Sequence, residues 1–278
     1  AHVSAGEAEG RILRAAEVAP ADLEALHRER LAAREVVAWD AREEAVVRER
    51  QLRLGELVLE RTPLERPDPP RVVAAMLDGV RQLGLGALPW TEEARALQAR
   101  ILSLRAWRPQ EGWPDVGDAA LAATLEAWLA PWLEGCTRRA HLRRLDLAAL
   151  LLAQVPWQLQ PRLDEGAPTH LRVASGARRR LAYAPGAPPV LAVKLQELFG
   201  EARTPAVCWG EVPVMLHLLS PARRPVQVTQ DLEGFWERTY PEVRKELKGR
   251  YPRHPWPEDP RTAAPTAAPL RRKPSQGR

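Results

Sequence analysis

Changes in the spacing of apolar residues divide this chain into segments with different secondary structure, and prolines stand near the divisions. Four prolines fall within residues 63–70. Proline disfavours helix interiors and central strands because its ring fixes φ and its nitrogen carries no hydrogen. Before this segment, apolar residues alternate clearly only in the outer two of three candidate strands, and after it they recur every three or four residues. We therefore expect a linker at 63–70 between a β-rich and a helical region.

Residues 1–64 are interpreted as part of a small β domain. Three antiparallel strands separated by short turns are the most economical interpretation of Glu35–Trp39, Ala45–Leu54 and Glu56–Arg61. Arg11–Ala16 is a further strand candidate, and Pro20–Leu26 begins with residues that favour a helix start. The pattern fits a small β-barrel that is incomplete on its N-terminal side.

Residues 65–165 are predicted to form a helical subdomain. Thr91 is a candidate N-cap followed by two glutamates, which stabilise a helix start electrostatically. Asp118 is a candidate cap for a third helix, whose stripe of apolar residues includes Trp128 and Trp132. A fourth helix is predicted from Leu142 to the residues before Pro156. We expect both tryptophans to lie in the core.

Residues 166–260 are predicted to form a second, β-rich domain of about five strands. The dipeptide Ser175-Gly176 separates two alternating segments, which is typical of a hairpin. After the strands, an amphipathic helix is predicted to restart at Pro241 and to end near Gly249. Tyr251–Pro257 holds three prolines, so we expect an ordered surface strap there instead of a helix.

The aromatic residues of the strap have two interpretations. In the first, they pin the strap to its own domain. In the second, nucleic-acid bases stack on Tyr251, His254 or Trp256 beside Arg250 and Arg253. The sequence leaves both open.

The basic character of the chain is concentrated at its C-terminal end. Residues 261–278 hold five basic residues and no acidic one, which equals the whole formal net charge of +5. This proline- and alanine-rich segment is predicted to be a disordered tail with at most a weak, salt-sensitive affinity for polyanions.

Motifs for catalysis were sought and not found in the sequence. It contains no glycine-rich turn ending in Gly-Lys-Ser/Thr, no Asp-Glu-x-His box, no Gly-x-Ser-x-Gly and no paired-cysteine metal motif. Cys136 and Cys208 are isolated, and no apolar run reaches 18 residues. We expect a chain that is not itself catalytic and binds neither cofactor nor metal nor membrane.

Basic and aromatic residues are the candidate site. Two groups stand out: an Arg-rich segment after the hairpin turn, where alternation lets at most two side chains share a face, and a second set that converges if the terminal helix docks on the sheet. The candidates are Arg178, Arg180, Arg223, Arg224, Lys245, Lys248, Arg250, Tyr251, Arg253 and Trp256. The alternative is that these charges are solvated and balance Glu237, Glu242 and Glu246.

Long stretches of the chain carry a family resemblance. These are ARRPVQVTQDL from Ala222, FWERTYPEVRKELKGRYPRHPWPEDP from Phe235, APPVLAVKLQELFG from Ala187 and, more weakly, WDARE from Trp39. They resemble the C-terminal part of the HrpB-type bacterial ATP-dependent helicases, a DExH-box family of the DEAH/RHA-like class. The resemblance covers most of the chain.

The resemblance implies a larger parent protein. This would be a cytoplasmic ATP-dependent RNA helicase, with two RecA-like motor domains, a winged helix and a helical bundle before Ala1, and with ATP and magnesium bound by the motor. Residues 1–64 would be the later strands of an oligonucleotide/oligosaccharide-binding (OB)-like domain. The polar start at Ala1, which is not Met, agrees with a piece of a longer chain.

The predicted fold class is thus α+β: a partial OB-like β domain, a helical subdomain, and a β-rich domain closed by a C-terminal helix and a proline/aromatic strap. The predicted function is that of an accessory region, which scaffolds its own N-terminal motor domains and contributes peripheral RNA contacts. The alternative is a protein-interaction module with no intrinsic RNA binding.

Overall fold

The computed structural model describes residues 16–266. Residues 1–15 and 267–278 lie outside this range, together with most of the predicted strand Arg11–Ala16 and of the predicted tail. The helices are α1 Pro20–Leu26, α2 Pro69–Leu83, α3 Glu92–Trp107, α4 Asp118–Ala123, α5 Leu125–Leu129, α6 Leu147–Ala153, α7 Gln160–Gly166, α8 Leu232–Gly234 and α9 Tyr240–Arg250. The strands are β1 Leu31–Asp40, β2 Ala45–Leu54, β3 Leu57–Pro63, β4 His170–Arg172, β5 Arg178–Ala182, β6 Val190–Lys194, β7 Ala206–Val207, β8 Val212–Pro213, β9 Met215–Leu219 and β10 Pro225–Thr229.

The chain folds into two compact units that do not follow the predicted domain boundaries. The first unit comprises the residues up to Leu88 together with Leu125–Leu145. The second comprises Pro89–Thr124 together with the residues from Asp146 onward. The segment predicted as a single helical subdomain, 65–165, is therefore shared between the units. The mixture of helices and several sheets confirms the predicted mixed helix–strand character.

The first unit is built on a three-stranded antiparallel sheet in the order β1-β2-β3. Its first turn is fixed by Asp40, whose Oδ1 accepts hydrogen bonds from the backbone nitrogens of Arg42 (2.8 Å) and Glu43 (3.1 Å). These hydrogen bonds also lower the pKa of Asp40, since they favour its charged form. The three predicted strands are confirmed.

Helix α2 belongs to this unit because it packs on β1. Gly79 of α2 lies against the indole ring of Trp39 so closely that a Cβ atom at this position would overlap the ring. The segment 137–139 joins the start of β2: the nitrogen of Val46 donates to the oxygen of Thr137 (2.8 Å), and the nitrogen of Arg139 donates to the oxygen of Glu44 (2.9 Å). These contacts explain why α2, which precedes residues 89–124, and the segment 125–145, which follows them, belong to the same unit as β1 to β3.

The helical part of the second unit is organised by a buried arginine. Arg100 of α3 donates from Nε to the carbonyl oxygen of Ala167 (2.5 Å) and from Nη2 to that of Leu163 (3.3 Å). It also pairs with the carboxylate of Asp164. The Leu163 carbonyl also accepts from the backbone nitrogen of Ala167 (2.9 Å), so Arg100 adds a second hydrogen bond there and supplies a partner for the Ala167 carbonyl just past the end of α7. One side chain thus fixes the end of α7 against α3.

The sheet of the second unit has five strands in the order β10-β9-β6-β5-β4. β6 and β9 run parallel, and the other neighbours are antiparallel. The hairpin around Ser175-Gly176 and the five strands confirm the prediction. A two-stranded sheet of β7 and β8, which was not predicted, lies between β6 and β9 in the chain.

An aromatic cluster closes the sheet and holds the strap. The rings of Phe199, Phe235, Trp236 and Tyr240 pack with centroids 5.1–6.5 Å apart. A π-helical turn at Phe235–Thr239 carries the chain from α8 into α9. The Tyr240 hydroxyl then donates to the carbonyl of Pro257 (2.9 Å), which ties the strap to the cluster. Burial raises the pKa of this hydroxyl to about 12.

Four local predictions differ from the structure. The N-cap before α4 is Gly117, because the Asp118 carboxylate binds Gln98 and Arg95 of α3 instead. The predicted fourth helix is broken, since Asp146 caps a new helix by accepting from the nitrogen of Ala149. Helix α9 ends at Arg250 and not at Gly249.

The fourth difference concerns Trp132, which was expected in the core. It is 49 % exposed, whereas Trp128 is 6 % exposed. Helix α5 ends at Leu129 and continues as a tighter 3-10 turn, so the predicted helical stripe no longer places both rings on one face.

Ordered contacts continue past Pro260 into the predicted tail. The nitrogen of Gly200 donates to the oxygen of Pro260, and the nitrogen of Thr266 donates to the oxygen of Gln196, each at 2.9 Å. Residues 261–266, which were predicted to belong to the tail, therefore lie beside the segment after β6.

Replacing Gly79 by alanine should destabilise the first unit. Alanine normally favours a helix over glycine by about 1 kcal/mol, but here its methyl group would overlap the Trp39 ring. We expect a net loss of about 1–3 kcal/mol in the free energy of unfolding, measured by urea denaturation. Gly86→Ala is the matched control, because a Cβ atom there meets nothing within 4 Å. Equal effects of the two substitutions would contradict the contact.

Removing the partner of a buried carboxylate should destabilise the second unit. Glu197 is 1 % exposed and accepts two hydrogen bonds from Arg179, at 2.6 and 2.7 Å. We expect Arg179→Met to lower the free energy of unfolding by about 2–3 kcal/mol, because it leaves a buried charge unpaired. Exposed Arg178→Met should change it by less than about 0.5 kcal/mol. The double variant Arg179→Met/Glu197→Met should recover most of the loss, and a failure to recover would argue against the pair as the cause.

Candidate nucleic-acid interface

Basic residues gather at one end of the five-stranded sheet. Lys194, the last residue of β6, is in register with Leu219 of β9, and Leu219 is in register with Pro225 of β10. The β9–β10 turn, which carries Arg223 and Arg224, therefore lies at the same end of the sheet as Lys194. Parallel pairing of β6 with β9 is what brings these residues together.

The β9–β10 turn is rigidly built. The nitrogen of Ser220 donates to the oxygen of Arg224 (2.8 Å), and the buried Ser220 hydroxyl accepts from the nitrogen of Arg224 (3.1 Å). Arg223 adopts a left-handed φ of +61°. An arginine in this conformation is uncommon because its Cβ crowds the backbone. Both arginine side chains are exposed.

The strap carries a histidine whose pKa is affected by Lys194. Burial lowers the pKa of His254, and the nearby positive charge of Lys194 lowers it further. The ring of Tyr251 packs edge-on against that of His254, with centroids 6.4 Å apart.

Helix α9 presents the remaining basic residues. Its inner face is held by buried Leu247 and by Arg244, whose Nε donates to the carbonyl of Trp256 (2.9 Å). Lys245, Lys248 and Arg250 are exposed on the helix. Arg253 follows, exposed, in the strap.

Most of the exposed basic residues of the β9–β10 turn, α9 and the strap lack acidic partners, whereas other arginines of the second unit have them. Within residues 16–266, five of these basic residues form no ion pair with a carboxylate: Arg223, Arg224, Lys245, Lys248 and Arg253. Arg250 lies 3.9 Å from the carboxylate of Glu246. Of the three carboxylates in the alternative interpretation, Glu246 is the partner of Arg250, and Glu237 pairs with Arg261 at 3.4 Å, outside this set. We call Lys194 together with the six residues Arg223, Arg224, Lys245, Lys248, Arg250 and Arg253 the basic end.

The arginines of β5 alternate as predicted. Arg178 and Arg180 are exposed, whereas Arg179 points to the other face and pairs with Glu197. Arg180 forms an ion pair of 2.6 Å with the exposed carboxylate of Glu92. The structure gives no contact that joins Arg178 or Arg180 to the basic end.

Two aromatic candidates have different surroundings. Trp256 is 8 % exposed, and its indole nitrogen donates to the carbonyl of Tyr251 (2.9 Å). It therefore pins the strap and offers no free face to a base, which corrects its assignment as a stacking residue. Tyr251 remains half-buried.

Sequence reasoning missed Lys194. Its neighbours Val190–Val193 indicated a strand, but the parallel partner of that strand is β9, which begins 21 residues after Lys194. Parallel pairing across an intervening segment has no short-range sequence signal. A charged residue directly after a buried apolar strand was the available hint.

Between residues 16 and 266, no group of three or more His, Cys, Asp or Glu side chains is placed to hold a metal ion. In the same range no helix combines the length and the apolar character that crossing a bilayer requires.

Family comparisons match two parts of the chain. Residues 30–64 match the family described as the connector region of the ATP-dependent RNA helicase HrpB. Residues 128–260 match the family described as ATP-dependent helicase C-terminal, of the HrpB type. The two matches together cover more than half of the chain.

A curated relative and two solved structures agree. The chain is 44 % identical over 232 residues to the ATP-dependent RNA helicase HrpB of Escherichia coli K12, which covers 84 % of this chain and 29 % of the relative. A crystal structure of the E. coli DExH-box NTPase HrpB superposes with a TM-score of 0.71 at 41 % identity, covering 95 % of this chain and 33 % of that one.

A second crystal structure, of the E. coli DEAH/RHA helicase HrpB, gives a TM-score of 0.62 at 40 % identity, covering 82 % of this chain and 29 % of that one. The chain thus spans no more than about a third of the proteins it matches. It belongs to the HrpB family of ATP-dependent helicases, in which it corresponds to the connector and C-terminal regions.

Proposed function

We propose that this region scaffolds the motor of an ATP-dependent RNA helicase and adds RNA contacts through the basic end. The observation that carries the RNA part is the lack of ion pairs at most of the basic end, described above. A cation that is already paired must exchange one partner for another when it meets a phosphate. An unpaired cation exchanges only water and counterions, whose release drives binding to nucleic acids.

The geometry of the basic end suits backbone contact better than sequence readout. Its side chains come from a rigid turn, a strand end, a helix face and the strap, and nearly all are exposed. Lysine and arginine contacts to phosphates position a nucleic acid without reporting its sequence. The proposed contact is therefore peripheral, salt-sensitive and tolerant of sequence.

The remaining parts of the proposal concern the parent protein. The antiparallel order β1-β2-β3 supports an OB-like domain at the N-terminal side. ATP and magnesium would be held by motor domains elsewhere in the parent, because the sequence here lacks a phosphate-binding loop. The scaffolding role is supported by the match to helicases about three times as long. RNA and the motor are the proposed partners, and the cytoplasm is the proposed compartment.

Reversing two charges at the basic end should weaken RNA binding. We expect Arg250→Glu/Arg253→Glu to reduce affinity for a fluorescent single-stranded RNA 20-mer and to flatten its salt dependence. The slope of log K against log salt should fall by roughly 0.7 for each lost phosphate contact. Fluorescence anisotropy across a salt series gives both quantities.

Arg250→Lys/Arg253→Lys is the matched control, since it retains both charges at the same positions. Deleting residues 267–278 tests the tail separately and keeps the ordered contacts up to Thr266. RNA affinity that disappears with the tail and ignores the Glu substitutions would assign binding to the tail. The region itself would then be a protein-interaction module without intrinsic RNA binding.

A further inference from the structure

A second aromatic and basic surface lies on the hairpin between β7 and β8. The turn Cys208–Gly210 connects these two short strands. All three of its residues have positive φ: 52° at Cys208, 56° at Trp209 and 92° at Gly210. Two consecutive non-glycine residues with positive φ cost free energy, and such backbone strain is concentrated at functional sites. The turn holds Trp209 in a position that an ordinary turn would not give it.

One face of helix α7 supports the Trp209 ring. Gly166 lies so close that a Cβ atom there would meet the ring at 2.7 Å. Arg162, four residues earlier and hence on the same face of α7, places its guanidinium 4.5 Å from the ring centroid. The guanidinium of Arg108 lies 5.4 Å from the centroid. The ring is nevertheless 41 % exposed.

Both guanidinium groups are held in place by carboxylates. Arg108 donates to Glu211 (2.5 Å), whose side chain is 57 % exposed, and Arg162 donates to Glu111 (3.0 Å). Glu111 also accepts from the indole nitrogen of Trp113 (3.1 Å). Burial acts to raise the pKa of Glu111, but the hydrogen bonds from Arg162 and Trp113 outweigh it and lower the pKa. The arginines are therefore fixed over the Trp209 ring, and the part of the residue that they leave uncovered is exposed.

We propose that the exposed part of Trp209 stacks on a base of single-stranded RNA, with Arg108 exchanging its exposed partner Glu211 for a phosphate. The inference rests on the proposed function and assigns a second contact site to it. Every nucleobase has a π-face, so stacking on an exposed tryptophan binds RNA without sequence preference.

The surroundings of Trp209 favour RNA over a protein partner. Protein interfaces are enriched in tryptophan and arginine but depleted in glutamate. Here the groups placed around the ring are two arginines with their glutamates. The Glu211 carboxylate is exposed, and exchanging such a surface ion pair for a phosphate costs little because exposed pairs contribute little.

Removing the aromatic face should weaken RNA binding. We expect Trp209→Leu to reduce the affinity of the chain for a fluorescent uridine 20-mer by at least about fivefold, the lower end of what one stacked base contributes. Trp209→Phe should stay within about twofold, since it retains a ring and the same backbone demand. Trp157→Leu is the matched control: Trp157 is 76 % exposed, and no arginine in residues 16–266 stacks on it.

A cross-linking measurement on the unaltered chain guards against misfolding of the leucine variant. A 20-mer containing 5-iodouridine is irradiated on the chain, and adducts are mapped by mass spectrometry. A cross-link on the Trp209 peptide supports the proposal. Absence of that cross-link, or unchanged affinity in Trp209→Leu, overturns it and leaves the exposed ring to a protein contact.

The two proposals fail separately. If affinity falls in Arg250→Glu/Arg253→Glu but not in Trp209→Leu, the basic end stands and the Trp209 site does not. If affinity falls only in Trp209→Leu, the Trp209 site stands and the assignment of the basic end is wrong.

Discussion

The packing of four aromatic rings is the constraint on which the sheet, α9 and the strap of the second unit depend. Phe199 comes from the end of the segment after β6, and Phe235, Trp236 and Tyr240 come from the turn into α9. Phe199 and Tyr240 are almost completely buried. Because Tyr240 also bonds Pro257, the same cluster fixes the sheet, the helix and the strap. The positions of the basic residues on α9 and in the strap are consequences of this packing.

Arginine performs two distinct tasks in this chain. Buried or half-buried arginines such as Arg100 and Arg179 satisfy carbonyl groups and carboxylates that would otherwise lack partners. Such bonds are strong because a charged donor in a poorly solvated place is costly to leave unpaired. Arg223 and Arg253, in contrast, have no such structural duty within the described part of the chain. Whether an arginine is paired or unpaired therefore identifies the arginines that can bind a ligand more clearly than the net charge of the chain does.

Local sequence signals predicted the local structure well. The three N-terminal strands, the Thr91 cap, the hairpin at Ser175 and the non-helical strap follow from alternation, capping and proline chemistry. What the sequence could not supply was pairing between distant segments. The grouping of α2 with β1 involves Gly79 against Trp39 and Arg71 bonded to the Glu35 carbonyl, and Lys194 meets the β9–β10 turn through the parallel pairing of β6 with β9. None of these contacts has a signature within a short window.

Interleaving of the two units along the chain limits how the protein can be dissected. The backbone passes from one unit to the other near Leu88, Thr124 and Leu145. A contiguous fragment that includes 125–145 and the strands β1 to β3 must therefore also include residues 89–124, which belong to the second unit. Conversely, an excised C-terminal piece that starts after α3 loses the Arg100 side chain that secures α7. Insertions and deletions in evolution face the same restriction, so the connector and the C-terminal region are expected to be inherited as one block.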